Sequence, residues 1–162
     1  MKNHVYTSKN TLVDVTKIYN GVVNEINLDF ELDIEKGSTD DYVFENSPKV
    51  SARIFEKARG RDENESYVAL TIKVTGTFGC VCGRCAKELT KDLCVDAGFG
   101  VTRRLSEDSD EYVEAPEGLL DVGELARTLF YLELPQRVLC KDDCQGLCPV
   151  CGTDLNLSTC SC

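Results

Sequence analysis

From Glu25 to Ile34 apolar and polar residues alternate without a break, with Ile26, Leu28, Phe30, Leu32 and Ile34 set against Asn27, Asp29, Glu31 and Asp33. A period of two puts every second side chain on the same face, so this is a strand with one face buried and one in water. The alternation returns at Val50, Ala52 and Ile54, then at Val68, Leu70, Ile72, Val74 and Phe78, and again at Leu93, Val95, Ala97, Phe99 and Val101. The polar break from Gly60 to Ser66 predicts a hairpin between the second and third of these runs. Four half-buried strands with charged outer faces predict a largely antiparallel sheet, to which Tyr42–Phe44 adds a brief strand.

The period changes near the C-terminal third. Asp121-Val-Gly-Glu124 has the form of a capping box, Asp121 accepting an N-terminal N–H while Glu124 reaches back to the cap. Val122, Leu125, Leu129 and Leu132 then share one helical face with Ala126 beside them, and Pro135 ends the run. This predicts one helix over about 121–133, covering the open face of the sheet. The acidic stretch Ser106–Glu111, followed by Pro116 and Gly118, reads as a solvated loop over 106–118. Met1 to Asn20 is polar and weakly patterned, although Leu12, Val13, Val15 and Ile18 suit a short segment docked on the core. The fold class is therefore α+β, a mainly antiparallel sheet with one covering helix and a C-terminal tail. The expected division is a domain over 1–139 and a tail over 140–162.

Composition changes this picture through charge and cysteine. A net charge of −10 argues against a generic nucleic-acid binder, because phosphate contacts need clustered Lys and Arg; no DNA partner is expected. The densest basic stretch, Lys49, Arg53, Lys57, Arg59 and Arg61, reads as a solvated strand face and hairpin tip, or alternatively as a local RNA-contacting patch. No secretory signal follows Met1 and no run approaches a membrane span, so the expected location is the cytoplasm. There thiols stay reduced, and clustered cysteines hold metal more often than they form disulfides.

Six of the ten cysteines fall between Cys140 and Cys162. Eight of the ten form four close pairs, Cys82/Cys85, Cys140/Cys144, Cys148/Cys151 and Cys160/Cys162, enough for two four-thiolate sites. Loop-closure entropy favours joining Cys148, Cys151, Cys160 and Cys162, which leaves Cys82 and Cys85 to share a metal with Cys140 and Cys144. A competing pairing joins Cys140, Cys144, Cys148 and Cys151, and a third possibility is one metal in the tail with free thiols at Cys82 and Cys85. On the favoured pairing the front half of the tail is clipped to the 82–85 turn. Cys148-Pro-Val-Cys151-Gly152 is the most specific local signal, its glycine permitting the turn that aims backbone N–H groups at the sulfurs. Zinc, two ions in all, suits such sites best, with iron as the alternative. Cys80 and Cys94 are expected to be buried thiols.

Catalysis finds little support. Cys82-Gly-Arg-Cys85 lacks the βαβ setting of a thioredoxin-like dithiol, and the only histidine is His4, in a weakly patterned terminus. Closed four-cysteine sites offer no open position for substrate. The expectation is a protein that is not an enzyme, with thiol or metal redox sensing as a further alternative.

These residues together resemble the YceD family, bacterial and plastid proteins linked to accumulation of the large-subunit ribosomal RNA. The resemblance is carried by Gly76-Thr-Phe before Cys82-Gly-Arg-Cys85, by Leu120-Asp-Val and by Leu132-Glu-Leu-Pro135. It continues through Leu139-Cys140, through Cys144-Gln-Gly-Leu-Cys-Pro-Val-Cys-Gly-Thr-Asp-Leu-Asn156, and ends at Cys160-Ser-Cys162. It implies that Cys82, Cys85, Cys140 and Cys144 are the family's shared site and that residues 148–162 are an added module. At Ala86, where many relatives carry leucine, the chain departs from the pattern. The implied process is ribosome production. Acidic charge then favours a basic ribosomal protein or assembly factor as partner, with direct RNA binding as the alternative.

Overall fold

Strands form where the alternation runs, and they extend further than the alternation alone marks. In the computed structural model, which describes residues 11–34, 37–38, 42–58, 66–103 and 111–162, the elements in chain order are β1 (Leu12–Asp14), α1 (Thr16–Tyr19), β2 (Glu25–Glu31), β3 (Gly37–Ser38), β4 (Tyr42–Phe44) and β5 (Lys49–Ala58), then β6 (Ser66–Val81), β7 (Glu88–Thr102), β8 (Tyr112–Glu114), β9 (Leu119–Asp121) and α2 (Val122–Leu132). The main sheet runs β2-β5-β6-β7 with every pair antiparallel. β8 joins β7 in parallel, and β4, carrying β3, pairs with the far end of β6. β1 and β9 make a separate two-stranded ladder.

Register explains the alternation. Leu28, Ala52, Ile72 and Ala97 stand in one row across four strands on the core face, and Asp29, Ser51, Lys73 and Asp96 form the adjacent row on the opposite face. A slip of one residue in any pair would turn its apolar set to water. The described residues include no helix long and apolar enough to cross a membrane.

The α+β reading holds, with one main helix over the sheet, but the helix is turned from the expected face. Its buried residues are Val122, Gly123, Ala126 and Phe130, whereas Leu125 and Leu129 are half-buried and Leu132 is 76% exposed. The sheet causes this rotation. Gly76 on β6 leaves room for the Phe130 ring, since a Cβ there would stand 3.0 Å from it, and Phe44 meets the same ring at a centroid distance of 5.9 Å. The cap is also only half the expected box. Asp121 Oδ1 accepts N–H bonds from Gly123 at 3.1 Å and Glu124 at 3.0 Å, but the Glu124 side chain pairs with Arg127 instead of reaching back.

Two stretches read as weakly patterned or as loop contain structure. Val13, Val15 and Ile18 are buried and place β1 and α1 against the core. Within the expected 106–118 loop, residues 106–110 lie outside the described residues, but Tyr112–Glu114 is strand β8 and Pro116–Gly118 is a 3-10 turn. Ala115 is fully buried there, an anchor that the acidic composition conceals.

β6 and β7 outrun β5 and stay paired to Val81↔Glu88, so the turn between them stands at the rim of the sheet. The chain leaving α2 passes the same rim. The Tyr42 hydroxyl donates to the Pro135 carbonyl, the Gly83 N–H donates to the Val138 carbonyl at 2.8 Å, and Arg137 Nη2 donates to the Gly83 carbonyl at 3.1 Å.

Candidate metal centres

Each cysteine pair is shaped by its local chain. Cys82-Gly-Arg-Cys85 forms a tight knuckle closed by the Ala86 N–H to the Cys82 carbonyl at 2.9 Å, and Cys148-Pro-Val-Cys151 forms another, closed by the Gly152 N–H to the Cys148 carbonyl at the same 2.9 Å. The residue after each second cysteine has positive φ, 57° at Ala86 and 74° at Gly152. The expected glycine turn is thus present at Gly152, and its counterpart is made by an alanine.

The knuckles gather the sulfurs into two groups, each with all four Sγ atoms within 4.8 Å of one another: Cys82, Cys85, Cys140 and Cys144, and separately Cys148, Cys151, Cys160 and Cys162. This grouping is the one loop closure favours. In the first cluster Cys82 lies 3.8 Å from Cys144 and Cys85 lies 3.6 Å from Cys140. Leu89 and Leu139 pack around it, and Cys82, Cys85 and Cys144 are buried. In the second, Cys148 lies 3.5 Å from Cys162 and 3.3 Å from Cys160, and Cys162 is 3.7 Å from Cys151. This cluster is shallower, with Cys151 and Cys162 exposed.

Backbone and side-chain donors surround the sulfurs. Cys82 accepts N–H bonds from Cys85, Arg84 and Cys140, which hold its thiol down to about 6; the Cys140 bond is 3.3 Å. The N–H groups of Cys151 and Val150 likewise hold Cys148 at about 6. Thr153 Oγ1, at 3.1 Å, lowers Cys151. Desolvation, together with the neighbouring sulfurs, pushes Cys140 up to about 12, and the neighbouring sulfurs, Cys160 first, push Cys162 to about 11. Each cluster therefore favours some thiolate and resists a full set, which is the imbalance that a cation removes.

The donor set fits such a cation. Four sulfurs about 2.3 Å from a tetrahedral centre lie roughly 3.8 Å apart, close to the spacings above. N–H groups aimed at sulfur are the outer support that thiolate ligands need. The two groups of four cysteines can therefore hold metal ions.

The other residues singled out in the sequence are placed differently. Lys49, Arg53 and Lys57 lie on β5, and Arg59 and Arg61 lie outside the described residues. Arg53 is not an isolated cation: its Nε and Nη2 donate to Glu25 at 2.9 and 2.5 Å, and its guanidinium lies over the Phe55 ring at 4.7 Å. Lys49 stands opposite Glu31 in the β2–β5 register. Acidic β2 thus faces basic β5 across the solvent side of the sheet. Cys80 is buried as expected, but Cys94 is exposed, because its register with Thr75 places it on the solvent face. Sequence reasoning missed two side chains near the sulfurs, Thr153 and Asn156. Their signal was their position inside a cysteine loop, where short polar side chains bond to nearby groups.

An antiparallel sheet with one covering helix and two four-cysteine clusters at its rim and tail defines an α+β protein equipped to hold metal. The model of the family described as Large ribosomal RNA subunit accumulation protein YceD matches residues 70–162, and the chain belongs to that family. The family's description implies a role in accumulation of the large-subunit ribosomal RNA. No curated protein and no solved structure matches the chain.

Proposed function

We propose that this chain is a non-enzymatic factor of ribosome production, supporting synthesis, processing or stability of large-subunit ribosomal RNA by holding a basic ribosomal protein or assembly factor. Zinc in the two cysteine clusters staples the tail and presents it. The carrying observation is that the family match over residues 70–162 spans both four-cysteine clusters. Four sulfurs around each ion close the coordination shell, which suits a structural role better than a catalytic one. A charge of −10, made more negative by about two for each zinc on four thiolates, favours a basic protein over bare RNA.

Affinity capture of the metal-loaded chain from its own cell extract, read by mass spectrometry and by RNA sequencing, tests this reading. Large-subunit ribosomal proteins or their assembly factors are expected, with capture weakened by salt. Capture of none of these, nor of a pre-ribosome or RNA-processing factor, overturns it. Binding of protein-free large-subunit ribosomal RNA by the purified chain would instead point to direct contact through β5.

A further inference from the structure

Asn156 lies in the second cluster's loop but makes its contacts at the first. It sits in the connection Gly152–Thr159 between Cys151 and Cys160. Its Nδ2 donates to Cys144 Sγ at 3.4 Å, and its Oδ1 accepts the Gln145 N–H at 2.9 Å. The Asp154 carboxylate fixes the amide, accepting from the Asn156 backbone N–H at 2.9 Å and from Nδ2 at 2.7 Å. An asparagine amide has two N–H bonds to give and one oxygen to accept with; all three are used, two of them across this seam.

The backbone is tied along the same line. The Leu155 N–H donates to the Gly146 carbonyl at 2.9 Å, and the Leu147 N–H donates to the Arg84 carbonyl at 3.2 Å. Arg84 Nη1 returns a bond to the Cys144 carbonyl at 2.8 Å. Gly146 is required there, with φ of 77° and the Arg84 carbonyl 3.0 Å from where a Cβ would stand. Knuckle, front tail and second-cluster loop therefore meet around Cys144.

We infer that Asn156 is a positioning residue of the first centre, and that the two centres load cooperatively because the second orders the loop that delivers Asn156 to Cys144. The inference rests on the reading of both clusters as metal sites. In the loop 152–159 Leu157 is 85% exposed and Leu155 half-buried, so its order rests on the hydrogen bonds to residues 145–148 together with the cross-link at its two ends. Untying Cys148, Cys151, Cys160 and Cys162 returns the loop-closure entropy and frees Asn156. Cys144 then loses the outer N–H bond aimed at its ligating sulfur. Linkage makes the effect reciprocal, so an ion at the first centre raises the affinity of the second by the same factor.

The test is chelator competition on the full chain loaded with cadmium, read by cadmium NMR, in which each centre gives its own resonance. Cys160→Ser with Cys162→Ser is expected to weaken the first centre about tenfold or more. Asn156→Ala, with all eight cysteines intact, is expected to weaken it comparably and to add no further loss when combined with the first pair, since both changes remove one contact. Asn156→Asp keeps the oxygen that accepts from Gln145 but loses the donor to sulfur, and is expected to weaken the first centre too. An unchanged first-centre affinity in the Asn156→Ala or the Cys160/Cys162 variant, or additive losses on combining them, overturns the inference and leaves the metal reading standing. Binding of no cadmium by the unaltered chain overturns both.

Discussion

Ala86 and Gly152 hold the same place in two knuckles, and the comparison isolates a single methyl group. Both close an N–H bond four residues back at 2.9 Å with positive φ. A left-handed conformation costs an L-residue about 1–2 kcal/mol, while glycine in an ordered chain loses about 0.5–1 kcal/mol more entropy than alanine. Ala86→Gly is thus expected to raise metal affinity at the first centre by about 0.5–1 kcal/mol. No atom lies within 4 Å of a Cβ added at Gly152, so Gly152→Ala meets only the same conformational balance and is expected to lower second-centre affinity by about two- to fivefold. Chelator competition on both variants measures the two effects, and shifts of the same sign would show that the knuckles are not equivalent. The glycine's role was legible in the chain, because a glycine just past Cys-Pro-Val-Cys signals a left-handed turn. That Ala86 adopts the same conformation was not legible, since an alanine carries no signal of a left-handed turn.

At the scale of elements, helix α2 shows which features are local. Its start is written in the sequence by Asp121, whose Oδ1 accepts two N–H bonds of the first turn and the Thr11 hydroxyl at 2.8 Å. Asp121→Ala is expected to destabilise the protein by about 1 kcal/mol, up to about 2, while Asp121→Asn, which retains an accepting oxygen, should cost a few tenths at most. Urea unfolding at fixed metal loading reads the difference; equal midpoints for Ala and Asn would mean the cap contributes nothing. The rotation of α2 was not legible. Leu125, Leu129 and Leu132 make as good an apolar stripe as Val122, Ala126 and Phe130, and the choice falls to Gly76 and Phe44, which are remote in sequence. Likewise β1 and β9 are too short to show a period, and each becomes a strand only because the other supplies its ladder.

At the scale of the whole molecule, the two sulfur clusters divide the tail between a long-range clip and a local knot. Elemental analysis is expected to find two zinc ions per chain, falling to one in Cys82→Ser/Cys85→Ser. Adding Cys140→Ser and Cys144→Ser should leave that one in place, because all its ligands lie in residues 148–162; a fall to none would show that the pairs cross. The sequence by itself determined the four long strands, through a period of two that admits one buried face, the single main helix, through its cap and its terminating proline, and the ligand chemistry, through the spacing within each cysteine pair. These are short-range properties, decided by dihedral preference and by which side chains reach one another along a few residues. The tertiary structure alone decided which face of α2 is buried, that Arg53 pairs with Glu25 and Lys49 stands opposite Glu31 on β2, and that Asn156 contacts a cluster outside its own loop. Each of these depends on strand register or on the packing of distant segments, and a pattern read along one chain holds no record of what stands across from it.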